Sequence, residues 1–248
     1  MILLLGNSDD VLVRSVEGLL GSRGLPAQTV SESDLFSKVP FAFEQRGPTF
    51  GGSLWLDGHE TQLDDVSGVL VRLPRVWSPP PDFDLQDQVF IYHECGAAWY
   101  ALIAGLRCPA VNRPALCGWV QDLTYPETLA CGLAKRLALP VAAPPAAAPG
   151  MGRTVPTRPP SAAHSISFYV VDGELIPRSA DDKALADALA LSTVGEWQQE
   201  NGLRFCRLDF ELHGRVLKLA QVEGYPLLEE EPSDVVERVA TAITEVLA

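Results

Sequence analysis

The chain opens with Met1-Ile-Leu-Leu-Leu5-Gly6, a short apolar run that a glycine closes. A continuous apolar run of this length is typical of a strand buried on both faces of a parallel sheet. After it, Leu12, Val16 and Leu20 recur with helical spacing until Gly24 ends the pattern. A buried strand followed by a helix predicts an α/β fold that begins with a parallel sheet.

Apolar segments separated by turn residues continue this pattern through the first half. Residues 41–50 and 53–56 predict strands on either side of Gly51-Gly52, and Asp57-Gly58 predicts a second turn. Residues 66–73 return to the pattern of a buried strand. A long helix is then predicted by an apolar stripe at alternating steps of three and four, which we interpret as core: Val89, Tyr92, Gly96, Trp99, Ile103 and Leu106.

The second half begins after a change of composition. Thr124-x-x-Glu127 is a capping box for one more helix, and residues 139–163 are then rich in proline and alanine, which predicts a mobile or extended linker. Beyond the linker, hairpins are predicted at Asp172-Gly173 and His213-Gly214, with a helix over residues 182–200 between them. A last helix is predicted from Ser233. The second half is therefore expected to be antiparallel α+β.

Charge and cysteine content exclude several classes of function. The net charge is −13, from 19 basic and 32 acidic residues, and basic residues do not cluster, so no nucleic-acid partner is expected. No apolar run is long enough to span a membrane, and the first residues lack the features of a signal peptide. We therefore expect a cytoplasmic protein whose five cysteines are reduced. The acidic surface suits either a basic peptide or a merely soluble protein.

No catalytic set emerges from the residues themselves. The sequence has no glycine-rich phosphate loop, no G-x-S-x-G elbow and no H-E-x-x-H. Cys95 beside His93 fits either a nucleophile or a buried thiol, and the thiol is favoured because neighbouring helical positions point in different directions. The scattered histidines favour solvated or structural roles over a metal set. We therefore expect no catalytic residues, no cofactor and no metal.

Several motifs, taken in order, resemble the ATP-grasp peptide ligases that modify ribosomal peptides. They are Val69-Leu-Val-Arg72-Leu-Pro-Arg75-Val-Trp77, the segment from Glu94 to Asn112 with its Val-Asn-x-Pro turn, Phe168-Tyr-Val-Val-Asp-Gly-Glu-Leu-Ile176, and Gly202-Leu-Arg-Phe-Cys-Arg-Leu-Asp209-Phe210. The resemblance implies a pre-ATP-grasp-like α/β domain at residues 1–139 and an ATP-grasp-like carboxy-terminal portion at residues 164–248. Between them, the linker 140–163 stands where the family carries its lysine-bearing, ATP-binding subdomain.

The resemblance also implies that the metal site is degenerate. The family ends its last hairpin with Leu-Glu-Val-Asn-Pro, where Glu and Asn join an upstream Asp in holding magnesium. Here the upstream residue is Asp209, but alignment on Gly214 places Ala220 and Val222 at the two ligand positions, whereas alignment on Pro226 places Gln221 and Glu223 there. Both alignments lack the glutamate. Because magnesium requires several hard oxygen ligands, Asp209, Gln221 and Glu223 are expected to be relic positions.

The resemblance thus implies that the fold of the family is kept while its ATP-binding and metal-binding residues are lost. This combination predicts a non-catalytic protein that binds a precursor peptide or a pathway enzyme in ribosomal peptide biosynthesis. Arg72, Arg75 and Trp77 are the possible peptide contacts. The alternatives are a ligase completed by another chain, a repurposed peptide-modifying enzyme, or a stabilising subunit. The predicted ribbons at residues 41–56 and 168–176 could accept a peptide strand, pair with each other or pair with a second copy, and a homodimer is favoured.

Overall fold

The structure is a computed structural model that describes residues 1–47, 49–72, 83–113, 125–142, 164–179, 182–183, 185, 189, 191–224, 226, 228 and 233–245. Its strands are β1 (Ile2–Leu5), β2 (Ala27–Val30), β3 (Phe41–Arg46), β4 (Thr49–Leu56), β5 (His59–Gln62), β6 (Gly68–Val71), β7 (Ala110–Val111), β8 (His164–Val171), β9 (Glu174–Pro177), β10 (Phe205–His213) and β11 (Val216–Glu223). Its helices are α1 (Val11–Ser22), α2 (Glu32–Ser37), α3 (Leu85–Gly105), α4 (Tyr125–Arg136), α5 (Leu191–Glu200) and α6 (Ser233–Thr244). The α/β fold class predicted from the sequence is confirmed.

The amino-terminal sheet is parallel, with strand order β2-β1-β6-β7. All four residues of β1 are at most 3% exposed, as the unbroken apolar run predicts. One face, which includes Ile2 and Leu4, packs against α1 and α6. The other face, which includes Leu3 and Leu5, packs against α3 and the ribbon β3-β4-β5. The first strand is therefore enclosed between two layers.

The ribbon β3-β4-β5 differs from its prediction at one turn. Strand β4 runs through Gly51-Gly52 without a break, and the β3-β4 turn lies near Gly47, whose φ is +59°. The sequence pattern predicts the turn at these glycines, and that prediction is wrong. A Cβ on Gly52 would lie 2.1 Å from the carbonyl oxygen of Ala42, so glycine is required by the close approach of β3.

Helix α3 is core only along its carboxy-terminal half. Trp99, Ile103 and Leu106 are buried against the parallel sheet, and Trp99 Nε1 donates a hydrogen bond to the Leu35 carbonyl oxygen at 3.1 Å. Val89, by contrast, is 50% exposed. The prediction that the whole stripe is core is therefore wrong at its first turns, because the helix extends past the sheet it covers.

The carboxy-terminal sheet is antiparallel, with strand order β11-β10-β8-β9. The predicted hairpins join β8 to β9 and β10 to β11, with positive φ at Asp172, Gly173 and Gly214. One sheet face, which includes Phe168 and Leu208, packs against α4 and α5. The opposite face carries Tyr169, Val171 and Phe205 into the core of the parallel sheet, so the two halves share a core.

Two helices pack against the half of the protein to which they do not belong in sequence. Helix α4 lies before the predicted linker but packs on the carboxy-terminal sheet, and α6 lies in the last segment but packs beside α1. The division into 1–139, 140–163 and 164–248 stays a prediction. At the start of the linker, Ala142 N donates to the Leu219 carbonyl oxygen at 2.9 Å, which adds a short parallel bridge to β11; residues 143–163 lie outside the described residues.

Among the residues that the structure describes, no helix combines the length and apolar character that crossing a lipid bilayer requires.

Candidate functional site

The candidate site lies on the face of the carboxy-terminal sheet opposite α4 and α5, centred on Asp209 in β10. The residue is 7% exposed, and Ser167 of β8 donates a hydrogen bond to its Oδ1 at 2.6 Å. These two residues are cross-strand partners, so their side chains share a face. The alternation of the strands therefore places a buried carboxylate among polar neighbours.

The β10-β11 register brings the three relic positions together. Asp209 is paired with Gln221, and Arg207 is paired with Glu223 two residues away on the same face. Val222, the residue that the other alignment places at a ligand position, is paired with Leu208 and is fully buried in the opposite face. Of the two alignments, the one through Pro226 thus corresponds to residues that surround Asp209.

Arg207 occupies the space between the two carboxylates. Its Nη2 lies 2.7 Å from Glu223 Oε2, and its Nε donates to Asp209 Oδ2 at 3.2 Å. The guanidinium is a permanent cation with donors and no acceptor. Sequence reasoning missed Arg207, although its spacing of two from Asp209 in a predicted strand already indicated a shared face.

This arrangement does not fit a magnesium ion. Magnesium needs near-octahedral oxygen ligands, and here the oxygens of Asp209 are occupied by the Ser167 hydroxyl and by the Arg207 guanidinium. Residue 221, directly opposite, is a neutral amide rather than a carboxylate. Within the described part of the chain, no group of three or more His, Cys, Asp or Glu side chains is arranged to hold a metal. No reaction step through a metal follows from these residues.

Asn112 joins the parallel sheet to the antiparallel sheet beside this site. It is 1% exposed and has a φ of +57°. Its Nδ2 donates to the carbonyl oxygens of Phe205 and Gly224 at 2.9 and 2.8 Å, and its Oδ1 accepts from the backbone N–H groups of Arg204 and Phe205. One amide thus fixes the start of β10 and the end of β11 relative to β7.

Arg72, a predicted peptide contact, lies inside the protein with 2% exposure. Its Nη2 donates to Asp10 Oδ2 at 2.7 Å and to the Pro226 carbonyl oxygen at 2.8 Å, and its guanidinium lies 5.6 Å from the centroid of the Phe205 ring. Its Nη1 is buried without a hydrogen-bond partner. Arg72 therefore links α1 to the segment after β11. Arg75 and Trp77 lie outside the described residues.

An open cleft of about 780 Å³ lies between the two halves, near the end of α3 and the start of β10. Two of its arginines serve the fold. Arg113 donates to carbonyl oxygens at the carboxyl end of α3, including that of Ile103 at 2.8 Å. Arg204 forms an ion pair with Asp172 at 2.6 Å. Both guanidinium groups already have protein acceptors.

Three of the four described cysteines, Cys95, Cys108 and Cys206, have the character of structural thiols rather than nucleophiles, whereas Cys131 is exposed. Burial raises the pKa of the Cys206 thiol to about 12, against a small opposing effect of the hydrogen bond from Gln198. Burial also raises the pKa of Cys95, and the nearby Glu94 carboxylate raises it further. The pKa of Cys108 is likewise raised by burial. Because the thiolate is the reactive form, these environments oppose nucleophilic catalysis near neutral pH.

Comparison with known proteins identifies the architecture. The sequence matches no protein-family profile and no curated protein. Among solved structures, the macrocyclase MdnC of Microcystis aeruginosa MRC, bound with its precursor peptide MdnA, is 14% identical with a TM-score of 0.72, over 98% of this chain and 99% of that chain. The chain has an ATP-grasp-like fold.

Two other structures agree with this conclusion. The macrocyclase MdnB from the same organism is 14% identical with a TM-score of 0.70, over 98% of both chains. A RiPP-associated ATP-grasp ligase of Chryseobacterium gregarium, in complex with ADP and a leader and core peptide, is 10% identical with a TM-score of 0.68, over 98% of this chain and 96% of that chain. The resemblance of the sequence to ATP-grasp proteins is confirmed at the level of the fold.

Proposed function

We propose that this protein is a non-catalytic, cytoplasmic ATP-grasp-like protein that binds a precursor peptide or a partner enzyme in the biosynthesis of a ribosomal peptide natural product. The observation that carries the proposal is the Asp209–Arg207–Glu223 network. Phosphoryl transfer requires cations that neutralise the charge on the transferred group. At the relic positions, the available carboxylates are instead paired with a side chain of the protein.

Retention of the scaffold argues against simple decay. The buried amide of Asn112 keeps hydrogen bonds to both strands of the last hairpin, and Arg72 keeps an ion pair with Asp10 across the parallel sheet. Buried polar groups that lose a partner are costly, so these contacts stabilise the fold without a metal. A stable scaffold without the metal site is what a binding role requires.

The linker supports the same proposal from the sequence. Residues 143–163 are the whole of the chain between the bridge at Ala142 and strand β8, and they consist largely of proline, alanine and small residues. The family resemblance implies a lysine-bearing nucleotide subdomain in this place. We propose that the linker replaces it, so that ATP with magnesium has no adequate site.

The partner is proposed from the complexes of the structural neighbours. MdnC was solved with its precursor peptide, and the ligase PsnB was solved with precursor peptide PsnA2. In this protein, we propose that Arg72, Arg75 and Trp77 belong to the part of the chain that contacts the peptide. The net charge of −13 favours a basic partner, and binding is expected to weaken as salt screens the charges.

Calorimetry with two ligands tests the proposal. A precursor peptide encoded beside the gene is expected to bind saturably, with affinity that falls from low to moderate salt. ATP with magnesium is expected to show no binding tighter than a dissociation constant of about 1 mM. Micromolar ATP binding contradicts the non-catalytic part. Absence of a complex with the peptide and with every neighbouring enzyme contradicts the binding part.

A second candidate is a ligase completed by another chain, or an enzyme repurposed for a different peptide modification. It is favoured by the near-complete overlap with the two macrocyclases. Mass spectrometry of the precursor peptide after incubation with this protein, ATP and each neighbouring gene product decides between the candidates. Loss of water from the peptide only when this protein is present supports the ligase.

A homodimer is part of the proposal, because the outer strands of the β3-β4-β5 ribbon leave edges that a second copy can pair with. Sedimentation velocity should give the mass of a dimer rather than 26.8 kDa. A monomer at all concentrations contradicts this part without affecting peptide binding.

A further inference from the structure

The ion network on β10 and β11 differs from the other described ion pairs in the number of carboxylates that one cation contacts. Arg207 contacts two carboxylates at once, and the side chains of Arg207, Asp209 and Glu223 are 21%, 10% and 31% exposed. The Arg238–Glu174 pair, which also involves this sheet, joins one cation to one carboxylate, with side chains 52% and 49% exposed. Surface pairs of the second kind contribute little to stability.

A cation is required at this point of the sheet. Asp209 is fixed by the pairing of β10 with β8, and Glu223 by the pairing of β11 with β10, so the two carboxylates are held on one face by backbone geometry. Two partly buried carboxylates that share a site repel each other unless a cation lies between them. Arg207 contacts both carboxylates and places its guanidinium between them.

We propose that Arg207 is a resident cation that takes the place of a divalent metal ion between Asp209 and Glu223 and holds β10 to β11 without metal. Two features of the sequence act together in this arrangement. The arginine supplies a permanent positive charge between the two carboxylates, and the neutral Gln221 opposite Asp209 adds no third negative charge. A divalent ion entering the site would meet the guanidinium at short range and be repelled.

The inference rests on the same network as the non-catalytic part of the proposed function, but it does not depend on peptide binding. Its test contains no peptide, so metal exclusion and peptide binding can each fail without the other. It predicts that the wild-type protein is indifferent to divalent cations. It also predicts that removing the arginine leaves two carboxylates that either destabilise the sheet or recruit a cation from solution.

Thermal unfolding and Mn²⁺ electron paramagnetic resonance test this on the full chain. Wild-type protein should keep the same melting temperature in EDTA and in millimolar MgCl₂ or MnCl₂, with no bound Mn²⁺ signal. In EDTA, Arg207→Ala should melt several degrees lower than the matched control Arg238→Ala, which loses an exposed pair from the same sheet. The double variant Arg207→Ala with Gln221→Glu should bind Mn²⁺ at least tenfold more tightly than wild type and regain melting temperature when MnCl₂ is added.

A charge-retaining variant protects the test against a variant that does not fold. Arg207→Lys keeps the cation but loses the two-point contact, so it should melt between wild type and Arg207→Ala and should still exclude Mn²⁺. Bound Mn²⁺ in the wild-type protein, or a higher wild-type melting temperature in MgCl₂ than in EDTA, overturns the proposal. So does an Arg207→Ala variant that is no less stable than Arg238→Ala.

Discussion

Replacing Asn112 by alanine should break the joint between the two sheets. The amide makes four hydrogen bonds with backbone groups of residues 204, 205 and 224, and three of these bonds are buried. Alanine has no polar atom to satisfy them, and the backbone at this position has a φ of +57°, which alanine adopts poorly. The Asn112→Ala variant therefore suffers two separate penalties.

The size of the loss follows from these contacts. Each buried backbone group left without a partner costs about 1–3 kcal/mol, and the left-handed backbone costs alanine about 1–2 kcal/mol. Allowing for water to satisfy some groups, we expect Asn112→Ala to lower the free energy of unfolding by about 3–6 kcal/mol, a large part of the about 5–15 kcal/mol typical of a folded protein. Asn112→Gly should lose less than Asn112→Ala, because glycine adopts the positive φ without strain.

Urea unfolding followed by circular dichroism measures these differences. The matched control is Asn201→Ala, where the amide makes one partly buried hydrogen bond to the Trp197 carbonyl oxygen at 2.8 Å. That variant should lose about 0.5–1.5 kcal/mol, the net worth of a typical hydrogen bond. If Asn112→Ala is no more destabilising than Asn201→Ala, the hydrogen bonds of Asn112 do not stabilise the contact between the two sheets, and the reasoning fails.

Two further predictions concern packing and thiol reactivity. A Cβ on Gly68 would lie 2.2 Å from the Ile243 carbonyl oxygen, so Gly68→Ala should lower the unfolding free energy by about 1–3 kcal/mol, whereas Gly96→Ala, with open space around it in α3, should raise it by about 0.5–1 kcal/mol in the same urea assay. In single-cysteine variants, exposed Cys131 should react rapidly with a thiol reagent at pH 8, and Cys206, buried with a pKa of about 12, should react only as fast as the protein unfolds. Equal rates for the two thiols contradict the second prediction.

Local signals in the sequence were sufficient for most elements and insufficient for the contacts between them. The apolar run at residues 1–5 and the Asp172-Gly173 turn carry their structure in neighbouring residues, so strand β1 and the β8-β9 hairpin were predictable. The sequence pattern predicts a turn at Gly52, but glycine is required there because a carbonyl oxygen of another strand lies too close for a side chain. Val89 was misread because periodicity gives the apolar face of a helix but not how far its partner extends.

At the candidate site, too, the sequence does not give the contacts between strands. Motif order predicts the relic positions and leaves two alignments open; which residues lie opposite Asp209 is given only by the β10-β11 pairing. A β-bulge between Asp209 and Phe210 shifts the register, and counting back from the turn at Gly214 does not reveal it. The contact of Arg207 with Glu223 depends on that shift.

The position of helix α6 has a consequence for synthesis on the ribosome. The face of β1 that carries Ile2 and Leu4 is covered by α1 and by α6, and α6 is translated more than two hundred residues later. At usual elongation rates, that interval is about 10–40 s. During this interval the nascent amino-terminal half lacks both α6 and the residues Tyr169, Val171 and Phe205 that complete this core, so its apolar surface is a ready target for chaperones or for aggregation. A stalled or prematurely terminated chain would therefore be a substrate for cellular quality control, even with every strand of that sheet already made.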